Sequence, residues 1–244
     1  MGGWAGLVAA AAAATLAAGC GVSEADKSAD QILADAQAAI SSVHSYRLEF
    51  HGQSRSGSEQ FLFDVADRHS AKGTLTIEAT TAQFVLSAGT FYLRGRDFLA
   101  RFNGPRAAEV AGDRWVALPT AAIGPVNLFS DTVTLARCVL GNHGTLTKAG
   151  TSTVAGVGAV ILDDRGDRPA TSPGRISVAV SGPAYPLRLD QTGPQRSGSP
   201  PQGCSGSAAS PDDPTAVITG TAALSDFGAA ISVAAPTGAI PLPT

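Results

Sequence analysis

Three cysteines (Cys20, Cys138, Cys204) and four histidines (His44, His51, His69, His143) are the side chains best suited to covalent or metal chemistry in this 244-residue sequence. A zinc site needs Cys or His paired at short spacing, and no histidine here has a ligand partner at i+2 to i+4. His44 closes a predicted helix, where an imidazole suits the carbonyl-rich end. His143 lies in an Asn-His-Gly turn. Asp163, Asp164 and Asp167 form a small acidic group, read either as a weak cation site or as solvated turn residues, the second being the ordinary account. Asp226-Phe227-Gly228 and Arg165-Gly166-Asp167 spell kinase and integrin tripeptides without the rest of either context. There is no Gly-x-Ser-x-Gly elbow, P-loop or His-Glu-x-x-His, and Gly156-Val157-Gly158 lacks the third glycine of a dinucleotide fingerprint. With no nucleophile, base and orienter to name, the expectation is a protein that is not an enzyme, with no catalytic residues, no metal and no cofactor.

Cys20 is the exception, because of what precedes it. Trp4 to Leu16 is an unbroken apolar or small stretch, and no charged side chain occurs before Glu24. The stretch is shorter than the ~20 residues a helix needs to span a bilayer, and it has the length of a signal-peptide hydrophobic region. It leads into Leu16-Ala17-Ala18-Gly19-Cys20. Small residues before a cysteine resemble the bacterial lipobox: the small side chains fit the peptidase groove, and the thiol sulfur becomes a diacylglycerol thioether. A plain secretory signal, or a buried helix start, is the alternative. The expected organisation is a lipoprotein signal peptide at 1–19, a lipidated tether at 20–27 and a single domain at 28–244. The mature protein is expected at the extracytoplasmic face of the cell membrane, held through acyl chains such as palmitate.

Removing Cys20 from the count leaves Cys138 and Cys204. An even remainder in an oxidising compartment points to one disulfide, with two separately buried thiols as the alternative. Cys204 sits in a Gly/Ser/Pro-rich insertion at 193–214, where a bond would tie down a long irregular segment.

These groups must be positioned by strands. The chain is 44% hydrophobic and 15% charged, with 28 Gly, 15 Pro and one Met, a strand-and-turn composition. Seventeen basic against twenty acidic residues, net −3, give no electrostatic case for nucleic acid. One helix is clear: Ser28 caps it, Gln31 completes a capping box, and Ile32, Ala36, Ala39, Ile40 and Val43 share a face. The period then drops to two. Tyr46, Leu48 and Phe50 alternate with polar residues, as do Phe61, Phe63 and Val65, and then Leu75 and Ile77. Further strands are read at 83–87, 90–94, 98–102, 114–118, 146–148, 152–154, 157–162, 175–180, 187–191, 216–224 and 230–234, with helix or loop between 120 and 140. Seven of the nine Phe fall between Phe50 and Phe102, which suits either a filled core or a hollow sheet lined by bulky residues. The fold class is α+β, with one large antiparallel sheet.

A cysteine after a lipobox, a capped amphipathic helix, the strand Ser45-Tyr46-Arg47-Leu48-Glu49-Phe50, then Arg114-Trp115-Val116, Val154-Ala155-Gly156-Val157, Tyr185-Pro186-Leu187 and a terminal Leu224-Ser225-Asp226-Phe227-Gly228 together resemble the LppX/LprAFG (LppX/LprG-type) lipoproteins of actinobacterial envelopes, whose fold is related to the LolA/LolB carriers. The resemblance implies a strongly curved antiparallel β-sheet, a half-open barrel with helices covering its opening. It also implies an acylated lipid or glycolipid as ligand, held in an apolar cavity and moved across the envelope with a transport partner. On that reading the ligand-binding residues are Leu48, Phe50, Phe61, Phe63, Leu75, Ile77, Phe84 and Leu86, on whichever sheet face is hollow. An anchored structural or protein-interaction domain with a filled core is the competing class. Cys20→Ala is expected to leave unprocessed precursor without acyl label, measured by metabolic labelling with a radioactive fatty acid; retained label would refute the anchor.

Overall fold

The computed structural model describes residues 23–55, 57–118, 128–204 and 216–241. Cys20, the signal stretch and part of the 193–214 insertion lie outside the described residues. After a short 3₁₀ turn at Glu24–Asp26, helix α1 spans Ala29–Ser42. Its capping box is complete: the Gln31 amide donates to the Ser28 hydroxyl at 3.3 Å, and the Gln31 side chain accepts from the Ser28 amide at 3.1 Å. The buried face is Ile32, Leu33, Ala36 and Ile40, so Leu33 takes the place expected of Ala39.

Twelve strands follow among the described residues: β1 Tyr46–Ser54, β2 Gly57–Asp67, β3 Ser70–Ile77, β4 Thr80–Ser87, β5 Thr90–Arg94, β6 Val116–Leu118, β7 Leu146–Val154, β8 Val157–Asp164, β9 Gly174–Ala179, β10 Pro186–Gln191, β11 Val217–Ser225 and β12 Ile240–Pro241. They form one unclosed, curved sheet in the order β12-β6-β5-β4-β3-β2-β1-β11-β10-β9-β8-β7. Every pair is antiparallel except β12 with β6. Sequential strands make local hairpins, as a meander must. The two halves meet where β1 pairs with β11, Leu48 opposite Leu224 and Phe50 opposite Ala222.

Between β5 and β6 lie α2, Arg96–Asn103, and α3, Pro105–Ala111. The expected strand at 98–102 is therefore a helix. Phe98 and Leu99 are its buried residues, adjacent positions that an alternating strand cannot bury together on one face, and Pro105 opens the next helix at its first turn, where proline is tolerated. Of the region 120–140, residues 120–127 lie outside the described ones; the described part carries a helical segment, α4, in which an α turn at Thr132–Thr134, capped by Asp131, continues as a π-helix over Leu135–Leu140. The two short strands expected at 146–148 and 152–154 are one strand with an irregularity between Lys148 and Gly150. The strand expected at 230–234 is absent, and the sheet ends instead on β12.

One sheet face is buried under α1 and α4. Tyr46, Leu48, Phe63, Val65, Phe84, Leu93 and Val116 join Ile32, Ile40, Leu135 and Leu140 in a single apolar cluster. The centre of this core is aromatic. Phe63 is fully buried, edge-on to Phe84 at 4.9 Å and to Phe129 at 6.3 Å between centroids. Removing such a ring from a packed site costs about 3–5 kcal/mol. Phe63→Ala is accordingly expected to lower unfolding free energy by about that amount, read from urea denaturation. Phe63→Arg is expected to unfold the domain, because no partner awaits a buried charge there.

Candidate functional site

Reading the hydrogen-bond register across the inner face divides the sheet into rows. One row runs Leu162–Ile176–Leu189–Ala222–Phe50–Phe61–Leu75–Ala82. The next, at the end of the sheet, runs Asp164–Gly174–Gln191–Gly220–Gly52–Glu59–Ile77. Gly174 and Gly220 of this row line a cavity of about 330 Å³. Its floor includes Ile176, Leu189 and Ala222, and its walls include Phe50, Phe61, Phe129 and Leu140.

Gly52 and Gly220 face each other across the β1–β11 ladder, and the Phe50 ring lies against both. A Cβ at Gly52 would stand 2.5 Å from Phe50 Cζ, and one at Gly220 3.0 Å from Phe50 Cε2. Either contact requires the ring to move. Phe50 also stacks on Phe61 at 5.2 Å, so the ring is held between the glycine pair and its cross-strand neighbour. The sheet here has an aromatic surface where backbone alone would leave a gap.

Of the eight side chains expected at the ligand, Phe50 and Phe61 line this cavity. Leu48, Phe63, Leu75, Phe84 and Leu86 share the same inner face but are packed into the core, and Ile77 is partly buried against it. The sequence reading missed Phe129, Ile176, Leu189 and Ala222. Apolar alternation marks the last three as inward, but only the cross-strand register brings them to Phe50.

α4 and the insertion close the other side. Cys138 and Cys204 form a disulfide, with Cα atoms 5.4 Å apart, and both are buried against Leu128. The bond joins the π-helix to the chain after β10, and the Arg137 guanidinium donates to the Gly203 carbonyl at 3.1 Å beside it. The Tyr46 hydroxyl donates to the Phe129 carbonyl. Burial, with the Asp131 carboxylate nearby, holds that phenol protonated well above its ordinary range.

The mouth of the cavity is polar and mostly satisfied. Arg175 pairs with Asp163 at 2.8 Å, and Asp190 accepts from Arg188 at 2.9 Å and from the Thr221 hydroxyl at 2.7 Å. Asn142 and Gln195 both donate to the Ala170 carbonyl, at 2.7 and 2.6 Å. A second concavity of about 650 Å³ is lined mainly by side chains of the opposite sheet face, among them His51, Gln60 and Thr221, and meets the cavity at Glu59, Arg175, Asp190, Gln191 and Gly220. Thr192, Thr219, Thr221 and Gln60 supply its hydroxyls and amide. His51 sits in this groove, its Nε2 2.8 Å from Glu49 Oε1. Among the described residues no cluster of His, Cys, Asp or Glu is grouped to hold a metal ion.

Glu59 differs from the other mouth charges. It is 8% exposed and has no cationic partner among the described residues. Burial raises its carboxyl above the ordinary value of 4.5, opposed in part by a hydrogen bond with Ser54. The unfolded chain therefore releases this proton first, and stability falls as pH rises from the unfolded pKa through the folded one. Glu59→Gln is expected to remove that loss, so the variant gains on the parent as pH is raised from 4 toward 7 (~4 to ~7 on the linkage argument). Urea midpoints across that range test it; a constant difference would show that Glu59 does not carry the effect.

No protein-family model matches the sequence, and no curated protein sequence matches it. Among solved structures, LprF from Mycobacterium bovis superposes with a TM-score of 0.56 at 15% identity, covering 86% of this chain and 97% of that one. The Mycobacterium tuberculosis lipoprotein LppX gives a TM-score of 0.52 at 14% identity, covering 84% and 99%. At such identities the likeness is one of architecture, and by it the chain has the fold of LprF and the lipoprotein LppX.

Proposed function

We propose that the protein is a membrane-anchored envelope lipoprotein that holds an acyl chain of a lipid or glycolipid in the cavity at the glycine row and passes it across the envelope. The observation that carries this reading is the pairing of an apolar floor with a polar, hydrogen-bonded mouth. Ile176, Leu189, Ala222, Phe50 and Phe61 offer only carbon surface. Hiding an acyl chain there gains about 25 cal/mol for each Å² of apolar surface, without directional contacts. A volume of about 330 Å³ is at the small end of ligand pockets, which run from ~300 to ~1,000 Å³. It suits one chain, not a multiply acylated body buried whole. Beside the cavity Asn142, Gln191 and Gln195 present amide groups, which favours a hydroxyl-bearing headgroup. The role is non-enzymatic and needs no cofactor. Cys20 supplies the anchor through its thioether, with two or more acyl chains giving stable attachment.

Gly220→Val is the direct test. The added methyls press on Phe50 and fill the cavity while keeping a residue that strands accept. Uptake of a fluorescent fatty acid by protein lacking the anchor is expected to fall at least tenfold (about 1.4 kcal/mol or more). Leu62→Ala, on the exposed face of β2, is expected to leave uptake unchanged. If the parent protein neither takes up fatty acid nor carries lipid by mass spectrometry, the anchored interaction domain replaces the carrier.

A further inference from the structure

The α2–α3 pair holds two apolar side chains in water, Phe102 at 46% and Val110 at 37% exposure. Phe102 is fixed there. Its ring centroid is 4.4 Å from that of Phe98, and the Arg101 guanidinium carbon sits 5.6 Å from the ring centre. Arg101 is itself held by two hydrogen bonds to Glu78, at 2.7 and 2.5 Å. Val110 stands one turn beyond Arg106 on α3, so the two share a helix face. Arg94, Arg96, Arg106 and Arg114 are all exposed. Residues 94–114 carry five arginines against Asp97, Glu109 and Asp113, in a chain whose net charge is −3. An apolar tip surrounded by guanidinium groups on an otherwise acidic protein matches an anionic membrane interface.

The position of the pair supports the same partner. Arg94 lies opposite Gln83, and a Cβ on Gly95 would meet Thr81 and Ala82, so β5 delivers α2 to the end of the sheet that bears the glycine row. Glu78, which grips Arg101, directly follows Ile77 of that row. The chain enters the described fold at this end too. Lys148, opposite Leu162 and one row in from the mouth, donates to the carbonyls of Ala25 and Lys27. The described chain therefore begins at the same end of the strands as α2–α3, on the β7 edge of the sheet, with α2–α3 toward the other edge beyond β5.

We propose that α2–α3 docks on an anionic bilayer surface, with Phe102 and Val110 entering the interface and Arg96 and Arg106 meeting the lipid headgroups, so that the cavity mouth faces the membrane. The contact does not depend on the cavity holding a lipid. It supplies a second, non-covalent attachment and sets orientation, which a single covalent anchor point leaves free.

Residues 21–244 retain the whole described core, whose first packed residue is Ala29, and lack Cys20, so vesicle binding by this chain reads the docking surface alone. Co-sedimentation is expected with vesicles of equal parts phosphatidylcholine and phosphatidylglycerol, and to weaken with salt. Arg96→Gln and Arg106→Gln are each expected to reduce partitioning about fivefold with thermal midpoints unchanged, because both side chains are exposed; Phe102→Ser is expected to reduce it further, with a modestly lowered midpoint from loss of the Phe98 contact. Gly220→Val is expected to bind vesicles like the parent, which separates failure of this surface from failure of the cavity. No binding to the mixed vesicles, equal binding to phosphatidylcholine alone, or variants that bind like the parent would each overturn the proposal.

Discussion

A sheet of twelve strands with aromatic residues along one face has to keep that face from water, and the rest of the architecture follows from how it does so. Tyr46, Leu48 and Phe50 on β1 and Phe61, Phe63 and Val65 on β2 stand in register as three cross-strand pairs. No strand can cover them, since the sheet curves without closing. α1 packs Ile32, Leu33, Ala36 and Ile40 against them, and α4 adds Leu135 and Leu140. The cover is then fastened at points chemically unlike the core: the Tyr46 hydroxyl on the Phe129 carbonyl, and the Cys138–Cys204 bond. In the chain-entropy account a bond closing a loop of 66 residues is worth about 4 kcal/mol. That is comparable to the loss from deleting one core phenylalanine.

Packing is unequal along the strands. In the inner rows large side chains oppose small ones, Phe63 beside Gly73 and Phe84 beyond it, and the space is filled. In the next row Gly220 and Gly52 leave the backbone bare and the Phe50 ring lies over both, while Gly174 stands against the Asp190 backbone. A cavity forms where the sequence withholds side chains, not where it supplies bulky ones. This is why most of the aromatic run builds the core while a minority reaches the hollow.

Much of this was legible in the chain. The capping box of α1, the period-two runs of β1 to β4 and the turn glycines between them are local signals, and the structure follows them closely. Pairing of Cys138 with Cys204 was also readable, because setting Cys20 aside as the expected anchor leaves a single combination of two thiols. The cavity was not readable at residue level. Gly52 and Gly220 are far apart in sequence and become one site only through the β1–β11 register. Phe98 to Phe102 misled because a short apolar-polar run satisfies both periods; what decided for helix is that Phe98 and Leu99 are buried side by side.

The β1–β11 seam also has a consequence in time. Arg47 lies opposite Ser225, about three-quarters of the chain length away, whereas β1 to β5 are linked by short hairpins that close without waiting for anything downstream. A chain emerging amino-terminus first can assemble that meander early, but β1 then presents one unpaired edge until β11 has been made. Non-local pairings of this kind slow folding, and an open edge is a template for another chain. The interval between completion of β1 and arrival of β11 is thus the period in which the nascent protein is most exposed to self-association, and anything that shields a strand edge during synthesis shortens the risk.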